Sequence, residues 1–162
     1  MNIKDVRVTP LFCRFKQPYF WAQGRHDGAY IALVEIETED GVLGLGETPS
    51  TMMPIAPILS FLKMVKPLLV GWSICEISRL MREIYTKNFG IETASHSSPR
   101  IANQIFAGVE LALWDALGKS VNLPVYDILG GKIHKEINYF GFIQGNTADE
   151  LSSHAKELSD DG

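Results

Sequence analysis

The sequence predicts an α+β protein: a three-stranded antiparallel meander, a helical bundle, and then the opening strand and helix of a different kind of sheet. Three observations carry this. Apolar residues alternate around an Asp-Gly turn in the first third, they recur at helical spacing from Pro54 to Leu117, and the texture changes again after Gly130-Gly131.

The meander comes first. Ile3, Val6, Val8 and Leu11 sit among polar residues in a loosely alternating pattern, as in a half-buried strand. Tyr30 to Thr38 alternates more cleanly and is rich in β-branched residues. Glu39-Asp40-Gly41 supplies a tight turn that tolerates positive φ, and Val42 to Glu47 is the return strand. The second and third strands therefore form a hairpin, and the first completes the sheet.

The bundle follows. Ile55, Ile58, Leu59, Leu62, Val65 and Leu69 mark one helix between Pro54 and Val70, and Ile77, Leu80, Met81 and Ile84 mark a second from Cys75 to Tyr85. Gly90 to Ser98 is polar and reads as loop. The strongest helix starts with Ser98 as its cap and Pro99 in its first turn. Its stripe runs Ile101, Ala102, Ile105, Phe106, Val109, Ala112, Leu113, Ala116 and Leu117. Asp115 and Lys119 form an acid-first i, i+4 pair on its other side. A short helix from Pro124 to Leu129 stops at Gly130-Gly131.

Beyond the glycines, Ile137 to Ile143 reads as a strand that is apolar or aromatic on both faces, the pattern of a parallel sheet covered by helices. Thr147 opens a polar helix with Leu151, Ala155 and Leu158 on one side. One such unit has no neighbour to pair with, so the sequence is expected to stop inside a domain.

Composition narrows the function classes. The chain has 162 residues and a net charge of −4, with its basic residues scattered, which argues against nucleic-acid binding. Its most apolar stretch, Ile55 to Val70, carries Lys63, Lys66 and Pro67 and is too short to span a membrane. Cys13 and Cys75 lie outside any CxxC pattern and are expected to be two buried thiols in a cytoplasmic protein.

The segment from Ala107 to Lys119, followed by Leu123-Pro124-Val125-Tyr126-Asp127-Ile128-Leu129-Gly130-Gly131, closely resembles the N-terminal signature of the mandelate racemase/muconate lactonizing enzyme family, part of the enolase superfamily. Thr38 to Glu47, with its Gly-x-Gly-Glu ending, resembles the family's hairpin. The resemblance covers essentially the whole chain. It implies a capping domain over residues 1–134 and, over 135–162, the first βα unit of a (β/α) barrel.

It also implies a Mg²⁺-dependent racemase, epimerase, cycloisomerase or acid-sugar dehydratase that abstracts the proton α to a carboxylate. The complete enzyme would bind a small carboxylate substrate and form a homo-oligomer. The family's Lys-x-Lys base and its metal ligands lie on later barrel strands, so neither a catalytic residue nor a Mg²⁺ ligand is expected in this chain.

What the resemblance does place here is the lid, two loops that close the active site and shape specificity. They are Lys16 to Gly28 and Glu47 to Met53, with Tyr19, Phe20, Trp21, Arg25, His26, Glu47, Thr51 and Met52 as candidate substrate-binding residues. Each has a plainer reading. The aromatic run cannot face one core, so part of it is exposed or packs on another domain. Arg25 and His26 either meet a substrate carboxylate or hydroxyl or decorate an exposed loop. Glu47 either lines a pocket or caps the next loop, and Thr51, Met52 and Met53 either line a pocket or fill the core.

Glu110 and Asp115 are expected in structural ion pairs or hydrogen bonds. His96, His134 and His154 lack companions at metal-ligand spacing and read as surface residues. A second function class stays open: a non-catalytic capping or interaction module completed by a partner chain.

Overall fold

The computed structural model describes residues 1–21, 24–50, 54–88 and 99–160. Strands β1 (Ile3–Trp21), β2 (Gly24–Thr38) and β3 (Leu43–Pro49) form one sheet in the order β1-β2-β3. Helices α1 (Ile55–Leu69) and α2 (Ile77–Glu83) follow, α2 running on into a π-helical turn over Ile84–Asn88. Then come α3 (Pro99–Val121), α4 (Val125–Ile128) and α5 (Ala148–Asp160). The chain divides into two compact units, one of Met1–Cys13 with Ala29–Gly131, the other of Arg14–Gly28 with Lys132–Gly162. None of the helices among the described residues is long and apolar enough to cross a membrane.

In the first unit, β2 and β3 pair antiparallel with Val34 opposite Gly46 and Glu37 opposite Leu43. Gly41, at φ 81°, donates its N–H to the Thr38 carbonyl at 3.0 Å, and Thr38 Oγ1 accepts the Val42 N–H at 3.0 Å. A side chain at Gly41 would be strained in that left-handed conformation, which is why the Asp-Gly pair makes this turn. Alternation then fixes the inner face: Ala32, Val34, Ile36 and Thr38 are buried, as are Gly44, Gly46 and Thr48.

The helices lay their stripes on that face. Ile58, Leu62, Val65 and Leu69 of α1 are buried at helical spacing, with Ile77 and Leu80 of α2. Ile105, Phe106, Val109, Ala112, Leu113 and Ala116 of α3 complete one core cluster with Ile3 and Val6. Burying an aliphatic side chain of this size contributes roughly 1.5–3 kcal/mol, so this cluster is the main stabilising term of the unit.

The closest approach in that core is between α3 and β3. A Cβ on Gly46 would overlap the Gly108 carbonyl oxygen, and one on Gly44 would stand 2.7 Å from the Ala116 Cβ. Glycines on the strand and Gly108, Ala112 and Ala116 on the helix let the two backbones meet without side chains between them. Polar groups of α3 then reach the open edge of β3. Asp115 Oδ2 accepts the Leu45 N–H at 2.8 Å, Lys119 Nζ donates to the Leu43 carbonyl at 2.9 Å, and Gln104 Nε2 donates to the Pro49 carbonyl. Lys119 also pairs with Asp115 at 2.7 Å, as its i, i+4 spacing predicts. Glu110 accepts the Trp114 indole N–H at 3.4 Å, so both acids of the helix are held in structural contacts.

Asn122, at φ 54°, ends α3, with the Leu123 N–H donated back to the Gly118 carbonyl at 2.9 Å. That 6→1 bond with a left-handed residue before it is a Schellman stop, and asparagine tolerates it better than most residues. The Gly131 N–H closes α4 the same way on the Tyr126 carbonyl at 2.8 Å.

In the second unit, α5 begins at Thr147, whose Oγ1 accepts the Glu150 N–H at 3.2 Å while Glu150 Oε2 accepts the Asn146 N–H at 2.7 Å. This is a variant of the capping box written by Thr-Ala-Asp-Glu.

Several expectations need correction. Lys16 to Gly28 is not a loop in its described parts: β1 runs to Trp21 and β2 starts at Gly24. Glu47, Thr48 and Pro49 belong to β3 and not to the connection after it. Cys13 and Cys75 are free but exposed, because one sits on a strand open on both faces and the other at a turn before α2. Ile137 to Ile143 joins no ladder among the described residues, and Tyr139 and Phe140 are 90% and 79% exposed. The cap at Ser98, the loop before it and His96 lie outside the described residues.

Two outcomes follow from this packing. Gly46→Ala should cost roughly 2 kcal/mol or more, since the strand must move away from the Gly108 carbonyl. Urea unfolding of the two chains would show it as a lower midpoint at unchanged m, and an unchanged midpoint would refute the close approach. The second concerns Asp5, whose carboxyl is held below its ordinary value near 3.8, chiefly by its hydrogen bond from Lys66 at 2.7 Å. A lowered carboxylate stabilises the fold above its unfolded pKa and loses that contribution as pH falls through the folded value. Both side chains are well exposed, so Asp5→Asn should cost less than about 1 kcal/mol at neutral pH and nothing in strong acid. Comparing the variant with the parent by urea titration across pH 2 to pH 7 (an experimental range of about five units) checks the sign.

Candidate functional site

The two proposed lid segments fall in different units, so each is described on its own. In the second unit the arm of the β1–β2 hairpin carries Tyr19 and Phe20 near its tip, both half-buried. The Tyr19 ring meets Phe142 edge-on, with centroids 6.1 Å apart, and Phe142 is packed the same way against Phe140 at 5.2 Å. Such tilted contacts put the positive ring edge on the negative face of its neighbour. The Phe20 N–H is donated to Gln144 Oε1 at 2.9 Å, and the Gln144 N–H is donated to His154 Nδ1 at 2.8 Å.

His154 is therefore not a plain surface residue. It is half-buried, and its Nδ1 accepts the Gln144 N–H. Leu158 lies one turn further along α5 and stands where a Cβ on Gly141 would fall, 2.8 Å from its methyl groups. Gln144, Phe142 and His154 escape sequence reasoning because nothing marks them alone. Their one signal is a polar residue, Gln144, at the end of an apolar run and just before the cap of α5.

Across the tip, Arg25 and His26 open β2 and are exposed. Arg25 is bound to Asp27, its Nε donating to Oδ1 at 2.8 Å. An exposed pair of this kind is weak and exchanges readily for another carboxylate. Trp21 closes β1, and its side chain lies outside the described residues.

In the first unit, Glu47 sits on β3 opposite Leu33, on the face away from the helices, and is exposed. Its neighbour Thr48 points inward and donates its hydroxyl to the Ile105 carbonyl at 3.2 Å. Thr51 and Met52 lie outside the described residues. The arrangement thus brings Tyr19 and Phe20 together with Phe142 and Gln144, and sets Arg25 and His26 on the same arm. The described groups of the arm are two aromatic rings, a guanidinium and an imidazole. Among the described residues no three His, Cys, Asp or Glu side chains are grouped to hold a metal ion.

Residues 3–130 match the family model of the mandelate racemase / muconate lactonizing enzyme N-terminal domain. A D-galactonate dehydratase family member from Salmonella enteritidis is 30% identical over 163 residues, which cover 100% of this chain and 36% of the relative. A dipeptide epimerase from Enterococcus faecalis, solved with Mg and the dipeptide L-Leu-L-Tyr, is 27% identical with a TM-score of 0.65, over 81% of this chain and 35% of the epimerase. A 2-chloromuconate cycloisomerase from Rhodococcus opacus shares the fold over 100% of this chain and 43% of its own, with a TM-score of 0.85 at 22% identity. The chain spans between 30% and 39% of the length of the curated relatives it matches.

Proposed function

This chain belongs to the mandelate racemase / muconate lactonizing enzyme family, and from that premise we propose that it is the N-terminal part of a Mg²⁺-dependent enzyme that abstracts the α-proton of a small carboxylate substrate. Residues 1–134 serve as the capping domain and 135–162 as the first βα unit of the barrel. Racemase or epimerase, cycloisomerase and acid-sugar dehydratase chemistry are the candidates, and the acid-sugar dehydratases among the curated relatives favour the last. A homo-oligomer is the expected assembly.

The capping domain's part is to cover the substrate. The observation that carries this is the arm of the β1–β2 hairpin, which presents an aromatic pair and a cation near one tip. Tyr19 and Phe20 supply apolar surface that excludes water, and Arg25 supplies a guanidinium that can leave Asp27 for a substrate carboxylate. His26, Glu47, Thr51, Met52 and Trp21 are further candidates for contact. Proton abstraction and Mg²⁺ binding fall, on this reading, to groups on later barrel strands, as the resemblance to the family implies.

One observation keeps a second reading alive. The apolar run from Ile137 to Ile143 is exposed and joins no sheet among the described residues. A barrel in the same polypeptide would cover it, and so would a partner chain, in which case the protein is a capping or interaction module without chemistry of its own.

The experiment is α-proton exchange in D₂O with Mg²⁺, using D-galactonate, muconolactone and a dipeptide as probes. The chain alone should exchange none of them. The complete protein that carries it should exchange at least one, with KM raised about tenfold by Arg25→Ala at nearly constant kcat. Exchange catalysed by the isolated chain, or a complete protein inert towards every carboxylate, would sink the proposal.

A further inference from the structure

We infer that Gln144 is a positioning residue, the latch that holds the tip of the β1–β2 hairpin in the place from which Tyr19 and Phe20 can meet a substrate. The inference rests on the reading of this arm as a lid, and adds to it the residue that sets its position.

The geometry runs in one direction, from a rigid helix to the tip of the arm. Helix α5 is fixed at its start by the Thr147 and Glu150 cap. From its second turn, His154 Nδ1 accepts the Gln144 N–H at 2.8 Å, which sets the backbone of the segment entering the helix. The Gln144 side chain then extends away and its Oε1 accepts the Phe20 N–H at 2.9 Å. Leu158 packs on the Gly141 backbone, its methyl groups 2.8 Å from where a Cβ at that position would stand. Tyr19 adds its edge contact with Phe142 one residue away.

A side-chain amide suits this task. Its oxygen accepts from the backbone without the charge of a carboxylate, so an anionic substrate nearby is not repelled. The bond is partly shielded and connects segments 124 residues apart in sequence. Losing it frees the tip while leaving the ladder of the arm intact.

The test begins with the unaltered chain. In ¹⁵N,¹³C-labelled protein, a through-hydrogen-bond coupling between the Phe20 amide nitrogen and the Gln144 side-chain carbonyl is expected, and its absence overturns the proposal whatever the variants do. Gln144→Met keeps the length and removes the acceptor. The Phe20 amide should then exchange about fivefold faster, the size expected for one net hydrogen bond, while the amides of α5 keep their rates. Gln144→Glu restores an acceptor and should return exchange to within about twofold of the parent. Equal Phe20 exchange in the parent and the Met variant refutes the latch.

In the complete enzyme, Gln144→Met should raise KM about fivefold with kcat nearly unchanged, since the lid is only less often in place. A complete enzyme without turnover but with the coupling present would defeat the functional reading alone. Turnover with no coupling would defeat the latch alone.

Discussion

Everything in the first unit depends on how closely α3 lies on β3. With Gly44 and Gly46 on the strand and Gly108, Ala112 and Ala116 on the helix, the two backbones touch where most helix–sheet pairs are held apart by side chains. Only at that distance can Asp115 and Lys119 bend round the strand to its outer edge. The Leu45 N–H and the Leu43 carbonyl would otherwise face solvent on an unpaired edge. Thr48 shows the same constraint from within: its hydroxyl is buried, and it is satisfied only because the Ile105 carbonyl is near. Among the described residues no buried side-chain polar atom is left without a partner.

β2 is held on one side by β3 and on the other by β1, and both strands of the hairpin run on past Cys13 and Ala29 into the second unit. There the supporting forces change character. The first unit is held by a dense aliphatic cluster, whereas the described contacts between the end of β1 and the 140–144 segment are aromatic and hydrogen-bonding.

That difference also explains which features were legible in the sequence. The β2–β3 hairpin was readable because its inner face is buried, so Ala32, Val34 and Ile36 alternate with half-exposed neighbours. The helices were readable because each lays one stripe on a core. The arm reads as a loop because residues 11–17 are exposed on both faces, and a strand with nothing to bury carries no alternation. The same absence hid the exposure of Cys13, which sits in that stretch. Gln144 and His154 were illegible for a different reason: their meeting is fixed by the turn into α5, and no spacing in sequence encodes it.

The residues that identify the family are thus architectural. Gly108, Ala112, Ala116, Asp115 and Lys119 belong to the most recognisable stretch of the chain, yet every one of them is explained by the contact with β3. Such a scaffold places no demand on the reaction above it. A dehydratase family member, a dipeptide epimerase and a cycloisomerase are among the proteins this chain resembles, as expected where a fold does not by itself fix a chemistry. In the proposed function specificity falls to side chains outside the α3–β3 contact, and Tyr19, Phe20, Arg25 and Glu47 meet that condition because none of them belongs to the buried cluster.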